Sequence, residues 1–184
     1  AYDIIYSFFK KKSKLKLLLN NTLNDNKLTL RDKSFIKELS YGVIRYYYYL
    51  NHLINIFSKQ KIGVKTKTIL LLGSYQLLYM NSVPNYAAVF TSVEISKIKT
   101  KSKNSFINAL LRKISLNQIN SNVPLYTKYS FPKWLYELFI RDYGKHETIQ
   151  IMNSLNLKSK IWLRIINKYE TISYLELHSI EYSF

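Results

Sequence analysis

VPNYAAVFTSVEISKIKTKSKNSFINALLRK, residues 83–113, holds two segments of helical periodicity around a loop whose only charged residues are lysines. Tyr86, Val89, Phe90 and Val93 recur at intervals of three and four, and so do Phe106, Leu110 and Ile114. Each segment therefore has an apolar face to bury against neighbouring helices. Lys97, Lys99, Lys101 and Lys103 stand between those faces. They read either as a solvated loop or as a row of phosphate contacts.

The same periodicity extends outward in both directions. Toward the N-terminus, Ile4, Ile5, Phe8 and Phe9 mark a first segment, and Leu15, Leu18 and Leu19 a second. Thr29 with Asp32 three residues later reads as a variant capping box opening a third helix. Phe35, Leu39, Val43, Tyr46, Leu50, Leu53 and Phe57 predict that this helix runs on as one long rod. The segment 66–80 is apolar almost all round, which predicts a buried helix. Its Gly73, costly there by about 1 kcal/mol against alanine, implies close approach of another helix.

After Lys113 the character changes. Residues 115–122 are polar and turn-prone, and Pro124 follows. YSFPKWLYELFIRDYG, residues 129–144, restarts a helix: Ser130 is placed to cap it, Pro132 falls near its start, Trp134, Leu135, Leu138 and Phe139 supply its apolar face, and Gly144 ends it. A short helix over 147–155, a strand over 160–167 and a helix over 171–177 complete the pattern. The expected fold is all-α: a helical bundle over residues 1–120, then over 121–184 a linker, helices and a β–α segment that begins the next domain.

The 184 residues contain no cysteine, which removes disulfides, thiolate metal sites and a cysteine nucleophile. Hydrophobic content of 47% with 21% charged residues is that of a folding chain. The apolar run 69–80 is short of the ~18 residues of a membrane span. The N-terminal stretch has its lysines after its apolar residues, the reverse of a secretory signal, so a cytoplasmic chain with residues missing upstream is expected. His52, His146 and His178 are scattered without partners at catalytic or metal-ligand spacing, so neither a triad nor a metal site is expected.

The net charge of +17 is unevenly spread. Residues 1–130 carry 21 Lys and Arg against Asp3, Asp25, Asp32, Glu38 and Glu94, whereas residues 131–184 carry seven against six acids. Abundant lysine, asparagine, isoleucine and tyrosine discount the total, since A/T-rich coding sequence produces them without selection. The asymmetry survives that discount and points to a polyanion partner for the first region alone. Two clusters are candidate phosphate contacts for such a polyanion: Lys10, Lys11, Lys12, Lys14 and Lys16, and Lys97, Lys99, Lys101 and Lys103 with Arg112 and Lys113. Arg45 reads as a structural tie between helices. Tyr46 to Tyr49 point in four directions around a helix and read mainly as packing, although stacked bases are the alternative use of such rings.

In order, ELSYGVIR (38–45), LLLGSYQLLYM (70–80), VPNYAAVFTSVEISK (83–97) and NALLRK (108–113) resemble a NusB-like helical domain. Two families carry that domain: free NusB antitermination factors, and the RsmB (Sun/Fmu) 16S ribosomal RNA cytosine-5 methyltransferases, which have it at their N-terminus. YSFPKWL (129–135), the YG at 143–144 and WLRIIN (162–167) resemble the methyltransferase continuation, with one residue more than the usual Leu-Arg-x-Asn. The resemblance implies an RNA-facing basic N-terminal region, with ribosomal RNA of the small subunit as partner and a methyltransferase domain if the chain continues.

It also implies S-adenosylmethionine as the cofactor of the full-length family, held by a glycine-rich turn, and a cysteine that attacks the cytosine ring. Gly42, Gly63, Gly73 and Gly144 are far apart in sequence and cysteine is absent, so no cofactor site and no catalytic residue is expected in these residues. The leading expectation is an RNA-binding targeting module. The alternatives are a NusB-type antitermination factor acting with a ribosomal protein, and a helical protein–protein module.

Overall fold

The computed structural model describes residues 1–58, 60–100, 103–116, 123–157 and 164–178. These form ten helices: α1 Tyr2–Lys11, α2 Leu15–Leu23, α3 Leu30–Arg45, α4 Tyr47–Phe57, α5 Val64–Tyr79, α6 Asn85–Lys99, α7 Asn104–Leu116, α8 Leu125–Lys128, α9 Lys133–Asn156 and α10 Lys168–Leu177. Among the described residues there is no strand, so the chain is all-α as its periodicity indicates. Of the expected strand over 160–167, residues 160–163 lie outside the described residues and 164–167 are not in strand geometry. Its described end, Asn167, caps α10, accepting from the Glu170 amide.

α5 is the axis of the bundle. Ile69, Leu70, Leu71 and Leu72 are all buried, so the helix has no solvent face along its middle and must be surrounded. α1, α3, α4, α6 and α7 pack around it. Two glycines set how closely they can come. A Cβ on Gly73 would lie 2.7 Å from Ser92 Oγ and 2.8 Å from Leu111 Cδ1, so α5 meets α6 and α7 through its bare backbone. A Cβ on Gly42 of α3 would fall inside the ring of Tyr75 on α5. That ring is pinned: its hydroxyl donates to Glu38 Oε1 at 2.9 Å, and it stacks on Tyr79 at 5.3 Å between centroids. Burial, followed by the neighbouring Glu38 carboxylate, pushes the Tyr75 hydroxyl well above its ordinary pKa, so it remains a donor.

The capping box at the start of α3 is present. Thr29 Oγ1 accepts from the Asp32 amide, and Asp32 accepts from the Thr29 amide. The Thr29 hydroxyl, donating to Asp32 Oδ2 at 2.6 Å, and then the Thr29 amide hold the exposed Asp32 carboxyl below its ordinary pKa.

The single long rod expected from Phe35 to Phe57 is two helices. The chain leaves helical geometry at Tyr46 (φ −97°, ψ 18°), whose ring stacks on Tyr79 at 4.0 Å. The break frees the first amides of α4, and Ser130 satisfies them: its Oγ accepts from the Tyr48 amide at 3.0 Å and the Tyr49 amide at 3.3 Å. Ser130 therefore caps α4, not the helix that follows it in sequence, whose N-cap is Pro132. To present its hydroxyl this way Ser130 adopts a φ of 62°, uncommon for a residue with a Cβ.

Ser130→Ala removes an N-cap while keeping the positive φ. We expect a loss of about 0.5–2 kcal/mol in thermal unfolding, with faster amide exchange at Tyr48 and Tyr49. Unchanged exchange there would rule out the capping role.

Gly144, at φ 73° and ψ 173°, interrupts α9 so that its two halves correspond to the two helices expected on either side of it. Two expected core residues of α6 are not in the core. Tyr86 and Phe90 are 78% and 63% exposed, while the small residues Ala88, Ser92 and Ser96 form the buried stripe with Val89. Small side chains are what the close approach at Gly73 requires. Trp134 likewise lies 65% exposed, outside the face that α9 buries.

Candidate nucleic-acid interface

The N-terminal lysines sit at the junction of the first two helices. Lys10 and Lys11 close α1, where cations complement the helix dipole. Lys12 turns the chain in left-handed geometry (φ 52°), Lys14 precedes α2, and Lys16 lies in its first turn. All five are exposed.

The second cluster divides. Lys97 pairs with Glu94 at 2.5 Å one turn away. Lys99 pairs with Asp3 at 2.9 Å and lies over the Tyr2 ring at 5.1 Å, tying α6 to α1. Exposed pairs of this kind contribute little stability, and they take part of the charge of both lysines. Lys103 is exposed just before α7, and its carbonyl accepts from the Ile107 amide. Lys101 lies outside the described residues. Arg112 and Lys113 are exposed on α7. Arg112 lines a different groove, between α6 and α7, with Tyr86, Phe90, Asn108 and Leu116.

The fold makes one surface from parts of both clusters. Tyr6 and Lys10 of α1, Gly63 to Thr66 at the start of α5, Lys99 and Thr100 ending α6, and Lys103 line a single open cleft of about 520 Å³. Lys10 from the N-terminal cluster and Lys99 and Lys103 from the second, 89 to 93 residues apart in sequence, thus face the same space. Lys10 donates to the Tyr6 hydroxyl and, with the charges of Lys65 and Lys11 added, holds that hydroxyl below its ordinary pKa. The positive potential therefore converges on the rim of the cleft.

Sequence reading missed Lys65 and Thr66. The run GVKTK, 63–67, reads as a break before a buried helix, and nothing local shows that its first turn faces Lys10. The available signal was the alternation of Lys65 and Lys67 with threonines at a helix start. Only Lys65 opens to the cleft, because Lys67 donates to the Tyr47 hydroxyl at 3.2 Å.

S-adenosylmethionine does not fit these residues. Gly42 and Gly73 are pressed against side chains inside helices, Gly63 caps α5, and Gly144 breaks α9. None forms a turn after a strand among the described residues. No group of three or more metal-ligating side chains occurs among them, and no described helix is long and apolar enough to cross a membrane.

The described residues thus form an all-α bundle with one cleft lined by Lys10, Lys65, Lys99 and Lys103. Residues 1–116 match the NusB family, and the chain belongs to that family. Its relatives include a Synechocystis protein described as a probable ribosomal RNA small subunit methyltransferase B. The two are 31% identical over 176 residues, covering 90% of this chain and 40% of the relative. A Bacillus subtilis protein of the same description is 30% identical, over 81% of this chain and 36% of its own length. A ribosomal RNA small subunit methyltransferase B of Salmonella paratyphi C is 29% identical, over 79% and 35%. The chain thus spans well under half the length of these relatives.

The four motifs that carry the resemblance are the joints of the bundle. Gly42 of ELSYGVIR passes under Tyr75 of LLLGSYQLLYM, and Gly73 of that second motif meets Ser92 of the third and Leu111 of the fourth.

Proposed function

We propose that the chain is the RNA-binding, targeting portion of a ribosomal RNA small-subunit cytosine-5 methyltransferase. The observation that carries this reading is the extent of the likeness. The NusB match ends at residue 116, whereas the Synechocystis likeness covers 90% of the chain, so the segment after the bundle is shared with proteins described as methyltransferases. In this reading residues 1–120 bind RNA, and residues 121–184 lead toward a catalytic domain that supplies the S-adenosylmethionine pocket and the cysteine. The lysines contribute sequence-independent phosphate contacts. The working compartment is the cytoplasm, where ribosomal RNA of the small subunit is the partner.

The test is a titration of the chain with fragments of small-subunit and large-subunit ribosomal RNA at equal length and salt. A preference of about tenfold or more, equivalent to about 1.4 kcal/mol, for a small-subunit fragment is expected. Equal affinity for all fragments would remove the small-subunit assignment. Tight binding to antitermination RNA only when a ribosomal protein is added would instead favour a NusB-type factor. A protein–protein role has one observation of its own: Tyr86, Phe90 and Leu116 are 78%, 63% and 83% exposed around one groove.

A further inference from the structure

The cleft shared by α1, α5 and α6 contains more than lysines. α5 starts at Gly63, which has no side chain to cap the free amides of the first turn, and that turn holds no acidic residue. Four amides, from Gly63 to Thr66, precede the first intrahelical bond, in which the Lys67 amide donates to the Gly63 carbonyl at 2.9 Å. Nothing lies within 4 Å of where a Cβ on Gly63 would stand, so the helix end is open to an incoming group. Thr66 supplies a second and independent sign. It is 7% exposed and lines the cleft, and its hydroxyl has no hydrogen-bond partner among the described residues. A hydroxyl that no protein group uses, on a largely buried residue lining the cleft beside uncapped amides, is a donor left for a ligand.

We propose that this cleft is a seat for a phosphodiester of the RNA backbone. The phosphate oxygens accept from the first-turn amides of α5 and from the Thr66 hydroxyl, while Lys10, Lys65 and Lys103 on the rim neutralise that phosphate and those on either side of it along the strand. The positive end of the helix dipole favours an anion there, and backbone amides fix its position more closely than flexible lysines do. Lys99, shared with Asp3, contributes least. The proposal rests on the RNA-binding reading and deepens it. Lys10 from the first cluster and Lys99 and Lys103 from the second become the two walls of one site, with Lys65 and Thr66 as its floor.

Gly63→Asp tests this directly. At a φ of −66° with open space around it, an aspartate fits without strain and caps α5 with its own carboxylate. The chain should therefore melt at the same or a higher temperature while the seat is filled from within. Thr66→Val removes the hydroxyl and keeps the shape. Asn153→Asp, on exposed α9, makes the same charge change away from the cleft.

With inorganic phosphate as probe, amide shifts in the native chain are expected at Gly63 to Thr66, and they should vanish in Gly63→Asp. With a single-stranded RNA, Gly63→Asp should bind about tenfold more weakly and Thr66→Val about threefold to tenfold, while Asn153→Asp should change by less than about twofold. RNA binding unchanged in both cleft variants would overturn the seat and leave the broader RNA-binding reading standing. A native chain that binds no RNA at low salt would overturn both.

Discussion

Gly42→Ala is expected to destabilise the chain by about 2–4 kcal/mol, lowering its melting temperature by roughly 5–15 °C. Alanine is the better helix former by about 1 kcal/mol, so an exposed helical glycine would gain from the change. Gly42 is buried, and the added methyl would occupy the space of the Tyr75 ring. The ring cannot step aside cheaply. Tyr46 and Tyr79 flank it at 6.1 and 5.3 Å, and its hydroxyl is bonded to Glu38. Moving it breaks that bond in a nearly dry environment, which costs about 1–3 kcal/mol in addition to the overpacking.

A double-mutant cycle separates this lock from a general intolerance of the site. Tyr75→Ala alone should cost about 3–5 kcal/mol, and far less when Gly42→Ala is already present. Additive losses would show that the two residues do not share one contact.

Why so much of the fold can be read from this sequence follows from how local its determinants are. The helices announce themselves through three-and-four spacing, α3 through Thr29 and Asp32, and the break in α9 through Gly144, each within one turn of chain. Gly73 could be read as a point of close approach because a glycine in a buried helix has few other uses. The division of α3 from α4 could not be read. Phe35 to Phe57 keep an unbroken stripe across Tyr46, and the hydroxyl that caps α4 comes from Ser130, 82 residues after the Tyr48 whose amide it accepts from. Burial of Tyr86 and Phe90 was a wrong expectation for a related reason. Periodicity marks a face, but the small residues on the adjacent face are what fit beside Gly73.

The candidate interface was half legible. Both lysine clusters are visible as charge, but their convergence depends on α5 lying between α1 and α6. Lys65 and Thr66 join the site only through that packing.

Affinity for single-stranded RNA is expected to fall about 50-fold between 50 and 200 mM monovalent salt. Each phosphate neutralised on a single strand contributes a slope of about −0.7 to log K against log salt. Lys10, Lys65 and Lys103 line the cleft, and Lys11 stands next to Lys10 at the end of α1. Four such contacts give a slope of about −3, and a fourfold rise in salt then yields the stated loss. The lysines of α2 would steepen the slope if the strand continues past Lys12, whereas the Lys97–Glu94 pair adds little because its charge is already matched.

The double substitution of Lys10 and Lys65 by glutamine should flatten the slope by about 1.4 and weaken binding most at low salt. Lys133→Gln, on α9 where the lysine pairs with Glu137, should leave the slope unchanged. A native slope near zero, with affinity retained at high salt, would mean that base stacking or a protein-like apolar surface carries the binding. The exposed groove at Tyr86 and Phe90 would then replace the basic cleft as the place to look.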